Sequence, residues 1–132
     1  LISDKNEAII SDFGVSMNFD LDTSTVEINN LYPLLTPPEV LINKKTSIQS
    51  DIYQLGILLY LLFNQINIRD IESKFDFTRD NIGKTTLKIR NLIKEDKLYE
   101  KKFNFHIPNK IQKIILKCMN PNLDKRYKLL MS

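Results

Sequence analysis

Residues 50–64 read Ser50-Asp51-Ile52-Tyr53-Gln54-Leu55-Gly56-Ile57-Leu58-Leu59-Tyr60-Leu61-Leu62-Phe63-Asn64. Ser50 and Asp51 suit a first helical turn, the one as a cap and the other by placing negative charge at the positive end of the helix dipole. The apolar side chains that follow, Ile52, Tyr53, Leu55 and the unbroken run from Ile57 to Phe63, leave almost no polar face. A helix apolar on every side belongs in the middle of a core with other elements packed round it. The stretch therefore predicts a buried central helix over 50–64. It is no membrane span: the run from Ile52 to Phe63 is 12 residues long and broken by Gln54 and Gly56, where a bilayer needs about 20 apolar residues.

Outward from this helix the chain stays mostly helical. Thr85 to Lys102 predicts a helix with a weak apolar stripe at Leu87, Ile89, Leu92 and Ile93. Asn109 to Met119 is the cleanest amphipathic segment, with Ile111, Ile114, Ile115, Cys118 and Met119 on one face, Pro108 before it and Asn120-Pro121 after it. A last short helix is expected from about Asp124, so that residues 85–131 form a set of C-terminal helices. On the other side, Leu1 to Ser11 predicts a β-hairpin whose turn, Asp4-Lys5-Asn6-Glu7, has Asn6 as the residue suited to a left-handed conformation. From Asp12 to about Pro38 no period is sustained. A structureless stretch of that length inside a compact chain is usually functional or mobile.

Composition bounds the classes. The chain has 132 residues, 42% of them hydrophobic and 27% charged, with a net charge of +3; that is enough for one core. Ile, Asn and Lys fill 46 positions and Ala only one, so helix propensities are a poor guide here. A single Cys118 excludes a disulfide framework and a four-cysteine zinc site. There is no Asn-x-Ser/Thr acceptor and no leader-like start. These features lead us to expect an intracellular, cytoplasmic protein. Residues 51–132 carry 16 Lys/Arg against 9 acids, with the excess greatest between Lys84 and Lys102. Without interleaved exposed aromatics, that reads as a solvated helix face rather than a nucleic-acid site.

Four short patterns occur in a telling order. Ser11-Asp12-Phe13-Gly14 follows the hairpin, and Pro37-Pro38-Glu39-Val40-Leu41 comes 25 residues after Asp12. Then come Ser50-Asp51-Ile52-Tyr53-Gln54-Leu55-Gly56 with its apolar run, and Cys118-Met119-Asn120-Pro121 with Asp124-Lys125-Arg126. Together they resemble the eukaryotic-type protein kinase family: its Asp-Phe-Gly, its Ala-Pro-Glu box with Pro37 for Ala, the central helix of its C-terminal lobe, and its Cys-Leu-x-x-Pro…Arg-Pro motif with Tyr127 for the final Pro. The fold this resemblance implies is mainly α within the family's α+β plan. Residues 1–132 are then a partial kinase domain, its C-terminal lobe with a short N-terminal hairpin (1–11) and an activation segment (12–39). On this resemblance the N-terminal lobe is expected to be missing.

The resemblance also implies roles. Asp12 would bind Mg²⁺ bridging the ATP phosphates, a hard cation for which a carboxylate is the right donor. Phe13 would pack as an apolar peg, and Gly14 would let the backbone turn beside the cofactor. Glu39 and Arg126 would form a buried structural ion pair, and Asp51 would anchor the catalytic loop. Thr23, Ser24 and Thr25 lie where activating phosphates are added in the family, and read equally as a polar loop.

The family's Gly-rich loop, its strand Lys and its His-Arg-Asp loop have no counterpart in these residues. The catalytic base is therefore expected upstream, and this fragment alone is expected to be inactive. The Thr of the family's Gly-Thr-x-x-Tyr substrate loop is replaced by Tyr32. Gly83-Lys84-Thr85 is no P-loop, because the required earlier Gly is Thr78. Ile68-Arg69-Asp70 is no catalytic loop either. The parent protein is expected to use ATP and Mg²⁺ to phosphorylate Ser or Thr, with Tyr as the other acceptor left open, in a protein substrate, without nucleic acid. The alternative is a non-catalytic pseudokinase or kinase-like scaffold.

Overall fold

The computed structural model describes residues 2–11, 16–18, 25–27 and 32–128 of the chain. Its elements in order are β1 (Val26–Glu27), a 3-10 turn at Pro33–Leu35, α1 (Pro38–Asn43), β2 (Lys45–Thr46), α2 (Ile48–Phe63), α3 (Ile68–Glu72), α4 (Ile82–Lys94), α5 (Asn109–Cys118) and a second 3-10 turn at Leu123–Lys125. The chain is mainly helical. β1 and β2 pair antiparallel, Val26 opposite Thr46 and Glu27 opposite Lys45. Near the N-terminus Ile2 makes a single antiparallel bridge to Ala8. The turn between them is closed by Asn6 N–H donating to the Ser3 carbonyl at 2.9 Å, with Asn6 at φ 60°.

α2 starts earlier than its composition suggests. Its cap is Ser47, in extended backbone, whose N–H donates to Ser50 Oγ at 3.0 Å. Ser50 is thus in the third helical position, closing a capping box from inside the helix. The inward face of α2 carries Tyr53, Ile57, Tyr60 and Leu61 into a core completed by Leu34, Ile71, Ile89, Ile93, Tyr99, Ile115 and Met119. α5 is the main partner of α2. The expectation of burial on every side is corrected: Leu55, Leu58 and Leu62 are 49%, 60% and 67% exposed. They recur at helical spacing on one face, and the described elements pack against the other.

The expected helix over 85–102 is also corrected. α4 begins at Ile82 and ends at Lys94, because Asp96 takes a left-handed conformation (φ 56°). Asp96 N–H then bonds the Ile93 carbonyl (3.0 Å) and Lys97 N–H the Leu92 carbonyl (2.7 Å). This closing pattern usually carries Gly at the left-handed position. α2 ends the same way, with Gln65 at φ 56° and Ile66 N–H bonded to the Leu61 carbonyl (2.9 Å). The short helix expected from Asp124 is one 3-10 turn, capped by Asn122, whose side chain accepts from Asp124 N–H. Arg126 leaves it in extended backbone.

The segment before α1 is pinned to this body. Leu34 is fully buried, its carbonyl accepts from the Tyr99 hydroxyl at 2.7 Å, and the next carbonyl, of Leu35, accepts from Gln54 Nε2 at 3.2 Å. Tyr99→Phe removes one donor and leaves a buried carbonyl unsatisfied, a cost of about 1–2 kcal/mol. A urea titration is expected to show a lower midpoint at unchanged slope.

Candidate functional site

α1 opens with two prolines whose extended and first-turn geometries suit a helix start, Pro37 as cap residue and Pro38 in the first helical position. Glu39 follows in the first turn, where the helix dipole favours a carboxylate. At the other end of the chain, Arg126 leaves the second 3-10 turn and points back into the body, its side chain fully buried. The two meet across 87 residues in a two-pronged pair: Nη1 donates to Oε1 and Nη2 to Oε2, each at 2.8 Å. Arg126 also donates from Nε to the Asn120 carbonyl (2.7 Å) and from Nη1 to the Gln49 carbonyl (2.9 Å). Its guanidinium stands 4.6 Å from the centre of the Tyr53 ring. A planar fork with several donors is what a buried carboxylate and two carbonyls require, and Lys does not supply it.

Ser50 completes the network by donating from Oγ to Glu39 Oε1 at 2.8 Å. One buried hydroxyl therefore caps α2 and holds the ion pair. Burial alone would raise the Glu39 carboxyl, but the Arg126 fork, the backbone and Ser50 outweigh it and hold the group below its ordinary value. Burial pushes the Tyr53 hydroxyl far up, so it stays neutral beside the pair. Among the described residues no buried side-chain nitrogen or oxygen lacks a hydrogen-bond partner.

The remaining expected site residues are more scattered. Asp51 lies in the first turn of α2 with its side chain largely exposed, and partial burial raises its carboxyl above the ordinary range. Among the described residues nothing donates a hydrogen bond to that carboxylate. Thr25 is exposed and borders a recess of about 460 Å³ with Glu39, Asn43, Lys45, Ser47 and Leu123. Asp12, Phe13, Gly14, Thr23 and Ser24 lie outside the described residues. Among the described residues no cluster of His, Cys, Asp or Glu could hold a metal ion; Asp12, the expected metal donor, lies outside them. Cys118 is buried against α2, and burial raises its thiol.

Sequence reasoning missed two partners of the ion pair. It placed Ser50 as a cap residue without seeing its bond to Glu39, although Ser47-x-x-Ser50 has the spacing of a capping box. Tyr53 reads in the sequence as plain core, and nothing there marks a ring that faces a guanidinium.

What the arrangement does is mechanical. It ties the segment leading into α1 to the body at three points, Leu34 to Tyr99, Leu35 to Gln54 of α2 and Glu39 to Arg126, giving a fixed platform. A family model for protein tyrosine and serine/threonine kinases matches residues 1–131.

Proposed function

This chain belongs to the protein tyrosine and serine/threonine kinase family, and from that premise we propose that the protein of which it is part transfers the γ-phosphate of ATP to Ser or Thr hydroxyls of a protein substrate. The observation that carries the reading is the Glu39–Arg126 fork. It joins two of the four motifs, far apart in sequence, in the geometry a phosphotransfer platform needs: a rigid end to the segment that begins at Asp12. Asp12 would give one carboxylate to Mg²⁺, with Phe13 and Gly14 beside the cofactor, and Mg²⁺ would neutralise charge on the phosphates. Asp51, with its carboxylate partly desolvated at the start of α2, is suited to receive backbone N–H donors of a catalytic loop. Thr23, Ser24 and Thr25 would be sites of regulatory phosphorylation. Ser/Thr specificity is preferred because the tyrosine-kinase form of the substrate loop is not found around Tyr32. An intracellular, cytoplasmic setting, where ATP is plentiful and Cys118 stays reduced, goes with this reading.

Binding of ATP to the full-length protein, titrated with and without Mg²⁺, tests the assignment of Asp12. Asp12→Ala is expected to weaken Mg²⁺-dependent ATP binding by about tenfold or more, with little effect on binding without the metal. An unchanged Mg²⁺ dependence overturns the metal role. A full-length protein that binds no ATP at all favours the scaffold reading, for which Tyr32 in place of the family's Thr is the supporting observation.

A further inference from the structure

We propose that the outward face of α4 is a docking surface for an acidic peptide segment carrying one apolar anchor side chain. α4 turns Thr85, Ile89 and Ile93 inward. On its outer side Lys84, Leu87, Lys88, Asn91 and Leu92, with Glu95 just past the helix end, line a shallow groove of about 350 Å³. Leu87, in its lining, is 59% exposed.

Charge identifies the occupant. The helix contains Lys84, Lys88, Arg90 and Lys94 and not one carboxylate. Nearby acids are already taken: Glu95 pairs with Lys97, Asp96 with Lys101 and Glu100 with Lys102. Among the described residues no carboxylate lies within 4 Å of any of the four cations of α4. Lys84 with Lys88, and Arg90 with Lys94, are like charges four positions apart, a spacing that works against the helix. A face kept only for solubility would interleave acids along the helix and would not expose a leucine among the cations. An acidic segment relieves the repulsion, and its anchor covers Leu87.

The groove is anchored to the body of the protein. Lys88 is held over the Phe75 ring, 5.6 Å from its centre, and α4 packs against the 3-10 turn at Pro33–Leu35 and against α1. A peptide bound here is therefore carried by the same rigid body that holds Glu39. The groove lining holds no aromatic ring on which a base could stack, which favours peptide over nucleic acid. Peptide binding at this face does not require phosphotransfer, and a binding measurement alone detects it.

The probe is a fluorescein-labelled peptide of roughly twelve residues, Asp and Glu around a single Leu, titrated by anisotropy against the full-length protein. Its control has Ser in place of that Leu, and a second probe is an oligothymidylate of equal charge. Saturable binding is expected, weakened about tenfold by the exposed double substitution K84E/K88E and severalfold by Leu87→Ser or by loss of the anchor. Far-UV circular dichroism checks that each variant folds, and Lys84→Glu alone, away from Phe75, serves if the double variant does not. The proposal is overturned by absence of saturable binding, by wild-type affinity in the charge-reversed variant, by equal binding of the anchorless peptide, or by tighter binding of the oligothymidylate.

Discussion

Arg126→Met is expected to destabilise the protein by about 3–5 kcal/mol, because it leaves Glu39 charged and mostly buried without its partner. The guanidinium satisfies more than the carboxylate. Its removal also strips donors from the carbonyls of Asn120 and Gln49 and a cation from the face of Tyr53. A loss of this size is a large part of the total stability of an ordinary domain, about 5–15 kcal/mol. Arg126→Lys keeps the charge but not the fork, and an intermediate loss is expected. Full stability in the Lys variant would show that charge alone suffices.

The pH dependence carries a definite sign. In the folded protein Glu39 sits below its ordinary value of 4.5, so its stabilising contribution is complete above that value. It is lost as pH falls through the lowered folded value, where the folded carboxylate takes up its proton. In Arg126→Met burial remains while the fork is gone, so the carboxyl moves up instead. The difference in stability between wild type and variant should therefore shrink as pH falls below about 4.5. Urea midpoints for both proteins at neutral pH and at acid pH check this, and a constant difference would contradict it.

Gly56→Ala should cost about 1–3 kcal/mol, against the gain that the same change gives in most helix interiors. A Cβ at position 56 lies 2.7 Å from Cys118 Cβ, 2.8 Å from Met119 Cγ and 3.1 Å from the Met119 backbone nitrogen. Two of these atoms are backbone or directly attached to it, so relief requires α2 and α5 to separate along their main contact. Gly83→Ala is the matched control. Its Cβ meets nothing within 4 Å, and a gain of about 0.5–1 kcal/mol is expected from helix propensity alone. Thermal or urea denaturation of the two variants side by side should show shifts of opposite sign; shifts of the same sign would contradict the close-packing account.

These two positions show how the sequence carries the fold. α5 is readable directly, because its apolar period is clean and prolines bracket it. α2 is readable as a helix, but its orientation is not: a run apolar all round cannot say which side the neighbours take, and Leu55, Leu58 and Leu62 look the same in sequence as Ile57 and Leu61. Helix ends are obscured by the scarcity of glycine. Where other chains place Gly, this one holds Lys44, Gln65 and Asp96 in the left-handed conformation, so α4 looks as if it ran eight residues past its true end at Lys94. The two-residue strands and α3 are too short for any period to register. At the site, Glu39 and Arg126 could be named only through motif resemblance, since no local pattern links residues so far apart. Ser50 and Tyr53 acquire their roles solely from three-dimensional packing.

In the proposed function the parent protein is a phosphotransferase in which Asp12 works with metal-bound ATP. The most direct measurement is the initial rate of transfer of labelled γ-phosphate from ATP to a general protein substrate by the full-length protein, with and without Asp12→Ala. The expected result is Mg²⁺-dependent incorporation on Ser or Thr that falls by about a hundredfold or more in the variant. Incorporation at the wild-type rate by Asp12→Ala, or none by a wild-type protein shown to bind Mg²⁺-ATP, would contradict it.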